Sequence, residues 1–305
     1  MGKHVIVGAG RVGKAVAAEL VAHGHEVVIV TRRGTTIEGA TGVTADASDG
    51  VRLAEITQGA DALYNCANPA DYSRWQELWP PIAAALLYTA EATGAVLVAA
   101  NNVYGYGPVD VPMTEDMPFV AETEHGRIRV KMTKDAFDLH RAGRIRYTEV
   151  RASDYVGGGE MAVLDTLVLS KIATGGTPQW LGDPDAPHAF TTIEDLAKAM
   201  VAVATDERAW GRAWHAPTNP AISARAAAER AAELVGAPKP KIVRIPYPLF
   251  WVSGVFNGQY KAMREMNYQF QRPFRLDSTL TERTFGLTPS DLDTALRDAT
   301  LAYRA

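Results

Sequence analysis

Cysteine is almost missing from this chain. Cys66 is the single one in 305 residues, which excludes an intrachain disulfide and a thiolate cluster for a metal. Long apolar runs are missing as well. No stretch reaches the roughly 18 apolar residues of a membrane-spanning helix, so no membrane partner is expected. There is no excess of positive charge either: 31 Lys and Arg stand against 35 Asp and Glu, a net charge of −4. Such a chain has no basic field to attract nucleic acid, and none is expected as a partner. His4, His23, His25, His140 and His215 lack the spacing of metal ligands, and no metal is expected; His188, before a strand-like segment, is either a substrate contact or a loop histidine. The first strand pattern begins by about residue 4, which leaves no room for a signal peptide, and Met1-Gly2 is not followed by Ser or Thr at position 6 as myristoylation requires. A cytoplasmic location is expected.

What the chain does have is an apolar share of 47%, ordinary for a protein with a real core. Apolar runs predict strands over 5–7, 26–30, 42–44, 61–65, 95–99 and 145–151. Helical periodicity falls between them, over 12–23, 51–58, 73–93 and 124–141. Near-continuously apolar strands alternating with helices predict an α/β fold: a Rossmann-type doubly wound parallel sheet, covered on both faces. The rhythm changes after Gly157-Gly158-Gly159. A helix over 161–174, a Gly/Pro/Asp-rich stretch over 175–187 and a helix over 194–205 follow, then helices joined by turns such as Pro246-Tyr247-Pro248. The expected division is a dinucleotide-binding domain over 1–217, with about 158–187 partly contributing to a substrate lobe, and a smaller, mostly helical C-terminal lobe over 218–305. Ligands of such sheets bind at the carboxyl ends of the strands, so the lobe would roof that crevice. Trp251, Phe256, Tyr260 and Met263 are candidates for its lining or for the lobe's own core.

The most informative motif is Gly8-Ala9-Gly10-Arg11-Val12-Gly13, directly behind Val5-Ile6-Val7. A GxGxxG between a strand and a helix is a dinucleotide-binding signature. Gly8 permits the tight turn, Gly10 lets a pyrophosphate approach the backbone, and Gly13 lets the helix pack close to the strand. Val12 lies within the same loop, and Arg11 either contacts a phosphate or points into water. NAD sites usually place a carboxylate at the end of the second strand, for the ribose 2′-hydroxyl. Here that position reads Thr31-Arg32-Arg33. A guanidinium fork suits a 2′-phosphate, so NADP(H) is the expected cofactor, with a solvated basic turn as the alternative.

Later segments resemble one family in order and spacing. Ala45-Asp46-Ala47-Ser48-Asp49 is similar to the adenine-binding acidic motif of short-chain dehydrogenases/reductases. Asn65-Cys66-Ala67-Asn68 falls where that family has its Asn- or Ala-rich turn. Val103-Tyr104-Gly105 resembles the VYG of the extended, epimerase/dehydratase-like branch, and 151–157 and 190–197 resemble two of its later segments. The resemblance covers most of residues 1–217. It implies cofactor contacts from Asp46, Ala47, Asn65, Cys66, Ala67, Arg151 and Ala152. It also implies a homodimer through the helices over 73–93 and 124–141.

The usual triad of that branch is missing. Its catalytic Ser or Thr position holds Ala100, or Asn101 with a slip of one, and its YxxxK holds His125 and Arg129. The glycine motif is also one residue shorter than the branch's GxxGxxG. An imidazole titrates near neutrality and can donate a proton; a guanidinium cannot relay one. His125 and Tyr104 are therefore the candidate proton donors, with Asn101 or Asn102 orienting a carbonyl and Arg129 anchoring a ribose or a substrate anion. Tyr106 and Tyr155 are further tyrosines on the loops. Asp110, Glu115 and Asp116 lie in a proline-punctuated loop that could act as a flap. The expected activity is NADP(H)-dependent oxidoreduction of a small carbonyl, alcohol or sugar-like substrate. A non-catalytic NADP(H)-binding redox sensor is the alternative.

Overall fold

Seven strands form the central sheet of the protein, described from a computed structural model that covers residues 2–245 and 264–304. The first six are β1 (Lys3–Val7), β2 (Glu26–Thr31), β3 (Thr41–Thr44), β4 (Ala62–Asn65), β5 (Val96–Asn102) and β6 (Tyr147–Ala152). With the strand Ala213–His215 at one edge, the spatial order is 213–215, β6, β5, β4, β1, β2, β3. β1 pairs in parallel with both β2 and β4, and β2–β3 and β4–β5 are parallel too. This is the Rossmann order, with its switch point between β1 and β4. The helices α1 (Arg11–Ala22), α2 (Gly50–Thr57), α3 (Trp75–Thr93) and α4 (Glu124–Arg141) alternate with the strands.

The expected α/β architecture is therefore present, and most element boundaries agree to within two residues. β5 runs three residues beyond the expected 99, so Asn101 and Asn102 end a strand instead of opening a loop. The helix expected over 161–174 is a wide π-helical turn, Asp165–Leu169, continued by one α-turn, Ser170–Ala173. Asp165 accepts hydrogen bonds from the backbone N–H of Gly157 and Gly159, which ties the start of that segment to the glycine run. The Pro246-Tyr247-Pro248 turn and Trp251, Phe256, Tyr260 and Met263 lie outside the described residues.

The chain divides into two compact units, interleaved in sequence. One comprises Met1–Gly105, Gly126–Arg151 and Leu196–Trp214. Its core is the inner face of the sheet, with Val5, Val28, Leu63 and Leu97 packed against Leu53, Leu86 and Ala90 of the helices. The other comprises Tyr106–His125, Ala152–Asp195 and His215–Ala305. Its core gathers Leu164, Val168, Trp180, Phe190 and Phe270 around the alanine face of the helix Ala224–Leu234 and Leu296 of the helix Leu292–Leu301.

One buried polar group sits in the first unit away from the carboxyl ends of the strands. His4, on β1, is 1% exposed; its Nδ1 lies 3.1 Å from the Tyr64 hydroxyl and its Nε2 3.0 Å from Nδ1 of His25. Burial, then the His25 charge, pull its pKa down to about 4, against a smaller upward pull from Asp61. The unfolded chain therefore binds a proton that the folded chain refuses. The stability held by neutral His4 is complete above the ordinary imidazole pKa of about 6.5 and drains away as pH falls towards 4. Urea titrations at pH 7.5 and pH 5 test this. The wild type is expected to lose ~1–2 kcal/mol more over that interval than His4→Gln. Equal losses in the two proteins would remove His4 as the cause.

Candidate functional site

The glycine loop fixes the first part of the site by steric exclusion. Gly8 has φ +104°, and a Cβ there would stand 2.7 Å from the Cys66 carbonyl oxygen. A Cβ on Gly13 would stand 2.0 Å from the Gly8 carbonyl oxygen. Both are far inside contact distance, so the β1 turn, α1 and the chain after β4 meet backbone to backbone. Gly10 is different: a Cβ there would meet nothing within 4 Å. Gly10 is also the N-cap of α1 and supplies no side-chain cap. The positive end of the helix therefore begins at a residue with no side chain and open space where one would stand. This fits a dinucleotide's pyrophosphate. Val12 is half-buried and Arg11 exposed.

The end of β2 and the turn after β3 make the next wall. Thr31 bonds through its hydroxyl to Thr35 and accepts the Ala45 N–H on its carbonyl, whereas Arg32 and Arg33 are exposed. Asp46 accepts hydrogen bonds from the Ser48 N–H and hydroxyl; these, with the charge of Arg32, hold its carboxyl below the usual range. Ala47 beside it is half-buried. At the end of β4, Asn65 is buried and its side-chain oxygen accepts the Ala67 N–H. Burial pushes the Cys66 thiol up to about 12, so at neutral pH it is an inert small hydrophobe.

Sequence reasoning missed a buried carboxylate that organises the ends of β5 and β6. Glu149 is fully buried. Its Oε2 accepts from the Asn101 side-chain amide (2.9 Å), the Thr133 hydroxyl (2.9 Å) and the Tyr147 hydroxyl (2.7 Å). Its Oε1 pairs with Arg151 at 2.6 and 2.7 Å. Burial alone would raise its pKa; Arg151 and the converging donors overcome that and keep it ionised. The side-chain oxygen of Asn101 accepts the Asn102 N–H, and that of Asn102 accepts the Tyr104 N–H. Two candidate residues, Asn101 and Arg151, are thus anchored to a charge that lies inside a strand, where alternation alone predicts nothing but burial. Ala152 is buried as well.

Arg129 lies on α4, one turn beyond His125. Its guanidinium stacks 4.2 Å from the Trp79 ring centre and 4.9 Å from that of Trp75, and donates to the Asn68 side-chain oxygen at 3.2 Å. Trp75 also stacks between Tyr72 and Tyr104. The structure thus brings Arg129 and Tyr104 together around one indole. The cavity among Asn65, Leu86, Ala99, Asn101, Arg129 and Tyr147 is about 30 Å³, room for water but not for a sugar.

His125 is 4% exposed, with Nδ1 3.0 Å from Oε2 of Glu265. Other candidates are engaged in their own unit. The buried hydroxyl of Tyr106 lies 2.7 Å from Nε2 of His215, and Nδ1 of His215 is 2.7 Å from the Asp277 carbonyl oxygen. Since that carbonyl can only accept, Tyr106 is the donor of the pair. His188 pairs with Asp154 at 2.8 Å and stacks on Phe270 and Phe274. Glu115, on the candidate flap, accepts from the His215 N–H and the Thr281 hydroxyl, and burial raises its pKa. Tyr155 is half-buried on the strand Asp154–Val156.

Comparison with known proteins supplies the context. The chain is 30% identical over 266 residues to a UDP-glucose 4-epimerase of Corynebacterium glutamicum, covering 76% of this chain and 80% of that one. It is 25% identical over 263 residues to the dTDP-6-deoxy-L-talose 4-dehydrogenase (NAD(P)(+)) of Kitasatospora kifunensis, covering 80% and 82%. Its fold matches the UDP-N-acetylglucosamine 4-epimerase of Bacillus cereus over the whole of both chains, with a TM-score of 0.80 at 14% identity. No helix among the described residues is long and apolar enough to cross a membrane.

The expectation of NADP(H) is overturned. Solved structures of this fold hold NAD, among them the UDP-glucose-4-epimerase of Stenotrophomonas maltophila (TM-score 0.78, 20% identity, 100% and 98% covered) and the dTDP-glucose 4,6-dehydratase of Bacillus anthracis (0.79, 13%, 99% and 96%). The physical reason lies in the turn after β2. Arg32 and Arg33 are solvent-exposed, and Asp46 stands near enough to Arg32 to share its charge, so neither arginine is held in place as a phosphate clamp. The basic turn is the solvated one. The family model for NAD dependent epimerases and dehydratases matches residues 4–214, which takes in the glycine loop, His125, Arg129 and the Glu149 cluster; the chain belongs to the NAD dependent epimerase/dehydratase family of enzymes.

Proposed function

We propose that the protein uses NAD(H) to oxidise and reduce a ring carbon of a hexose carried on a nucleoside diphosphate, with His125 moving the proton. The observation that carries the cofactor half is Gly10, open to space at the bare N-terminus of α1. The substrate class is supported by the two sequence relatives, a UDP-glucose 4-epimerase and a dTDP-6-deoxy-L-talose 4-dehydrogenase, whose names both place their chemistry at carbon 4 of a nucleotide-linked sugar. Bound NAD+ supplies a reversible hydride acceptor and no proton.

The proton is left to the chain. Oxidation of a hydroxyl needs a base for its proton, and the reverse reduction needs an acid; one imidazole serves both. His125 occupies the position of the family's tyrosine, is buried, and carries a carboxylate on one ring nitrogen. Arg129 occupies the lysine position and keeps its charge at every working pH, so it donates hydrogen bonds and stabilises negative charge but relays nothing. Asn101 and Asn102, held by the Glu149 cluster, fix the strand end next to it. A cytoplasmic homodimer paired through α3 and α4 belongs to the same reading. Tyr88, half-exposed on α3, supports it.

Three measurements test this. Calorimetry is expected to show NAD+ binding at least tenfold tighter than NADP+; the opposite order sinks the cofactor assignment. Gly10→Ala should keep the wild-type melting temperature yet lose tenfold or more in NAD+ affinity. Gly13→Ala should unfold several degrees lower, because its Cβ meets the Gly8 carbonyl. In a panel of UDP- and dTDP-hexoses monitored by NMR, His125→Gln is expected to cut turnover by ~10²–10⁴ with NAD+ affinity unchanged. Wild-type-like turnover in that variant removes His125 from the chemistry.

A further inference from the structure

We infer that Glu265 is a positioning residue that holds His125 in a single neutral tautomer, with the proton on Nδ1, so that Nε2 is the atom that exchanges a proton with the substrate. This rests on the role given to His125 above. The geometry is specific. Oε2 of Glu265 receives two groups: the Glu124 backbone N–H at 3.0 Å and Nδ1 of His125 at 3.0 Å. A backbone N–H can only donate. A carboxylate only accepts and has no hydrogen to offer. The hydrogen between the two side chains therefore sits on Nδ1, and Nε2 of the neutral ring carries a lone pair.

Glu124 is the first residue of α4, so Glu265 lies at the positive end of that helix dipole. His125 is 5% exposed in its side chain and Glu265 32%, so the imidazole is the sequestered member and the carboxylate reaches it from the solvent side. The two ring nitrogens lie on opposite edges of the imidazole, so anchoring Nδ1 also fixes where Nε2 points.

The proton balance follows. When a substrate hydroxyl is oxidised, its O–H bond breaks and the proton forms a new N–H bond at Nε2. The imidazolium then has Glu265 against its other edge to offset the charge. When the carbonyl is reduced, the same proton returns to oxygen and the ring is neutral again. No signal in the sequence joins the two residues, which stand 140 positions apart.

The test uses the full-length chain labelled with ¹⁵N-histidine, without cofactor, at pH 9, well above the ordinary imidazole range. Long-range ¹H–¹⁵N correlation reads the tautomer of each ring, and His125→Gln identifies the resonance. The wild type is expected to show His125 as the Nδ1–H form. Glu265→Ala should move it to a mixture in which Nε2–H dominates, while Glu265→Gln, whose amide oxygen can still accept, should restore Nδ1–H. A wild-type ring in the Nε2–H form, or an unchanged tautomer in Glu265→Ala, overturns the inference; should the alanine variant fail to fold, the wild-type tautomer decides alone. On a turned-over sugar nucleotide, Glu265→Ala should lower kcat ten- to a hundredfold with KM for NAD+ within twofold, and Glu265→Gln should recover part of it. A wild-type Nδ1–H tautomer in a protein that neither binds NAD+ nor turns over any sugar nucleotide leaves the pair standing and sinks the functional reading instead.

Discussion

Everything at the carboxyl ends of the strands depends on one steric constraint: three stretches of backbone meet there with no space for a side chain between them. The turn after β1, the first turn of α1 and the chain leaving β4 approach so closely that a methyl group on Gly8 or Gly13 would overlap a carbonyl. That contact sets the angle at which α1 leaves the sheet and aims its first turn. It also presses the residues after β4 against the loop, which is why Cys66 is buried and Asn65 turns its amide to its own chain. Gly10, two residues along, has no such neighbour. The same motif thus holds glycines kept for opposite reasons, two because the protein fills the space and one because it leaves the space open.

A second constraint is electrostatic. Glu149 and Arg151 are both buried on β6, and each would be costly there alone. The pair is tolerable because Asn101, Thr133 and Tyr147 complete the coordination of the carboxylate. Those three come from β5, α4 and β6, so the price of a charge in the core is repaid as registration of three elements against one another. The strand end that carries Asn101 and Asn102 is consequently rigid. Arg129 follows a different logic. Two indole faces and one amide oxygen hold a permanent cation in place.

Much of this was readable from the residues. The alternation of apolar runs and helical stretches yields the Rossmann sheet, because strands buried on both faces leave a distinct pattern. The glycine loop was legible for the same reason: its spacing reflects contacts within a dozen residues. Local reasoning went astray at Thr31-Arg32-Arg33, where two charges suggested a phosphate. Nothing local reveals that Asp46, on the next strand's turn, stands near enough to feel Arg32. It was also blind to Glu149, since a glutamate inside the apolar run of β6 gives no sign of its partners until those from β5 and α4 are known. Glu265 and His125 are joined only by the folded chain. The missing Tyr and Lys of the family were plain in the sequence; what stands beside their replacements was not.

The aromatic seat of Arg129 gives the protein an optical property. Trp75 and Trp79 touch the guanidinium with their ring faces, and Tyr104 and Tyr72 flank the first of them. A cation held against an excited indole shifts and quenches its emission. Any ligand oxygen that draws the guanidinium off those rings changes two of the six tryptophans at once. Arg129 is therefore wired to the protein's own fluorescence, and occupancy near it can be followed in unlabelled protein, in real time, whatever the ligand proves to be.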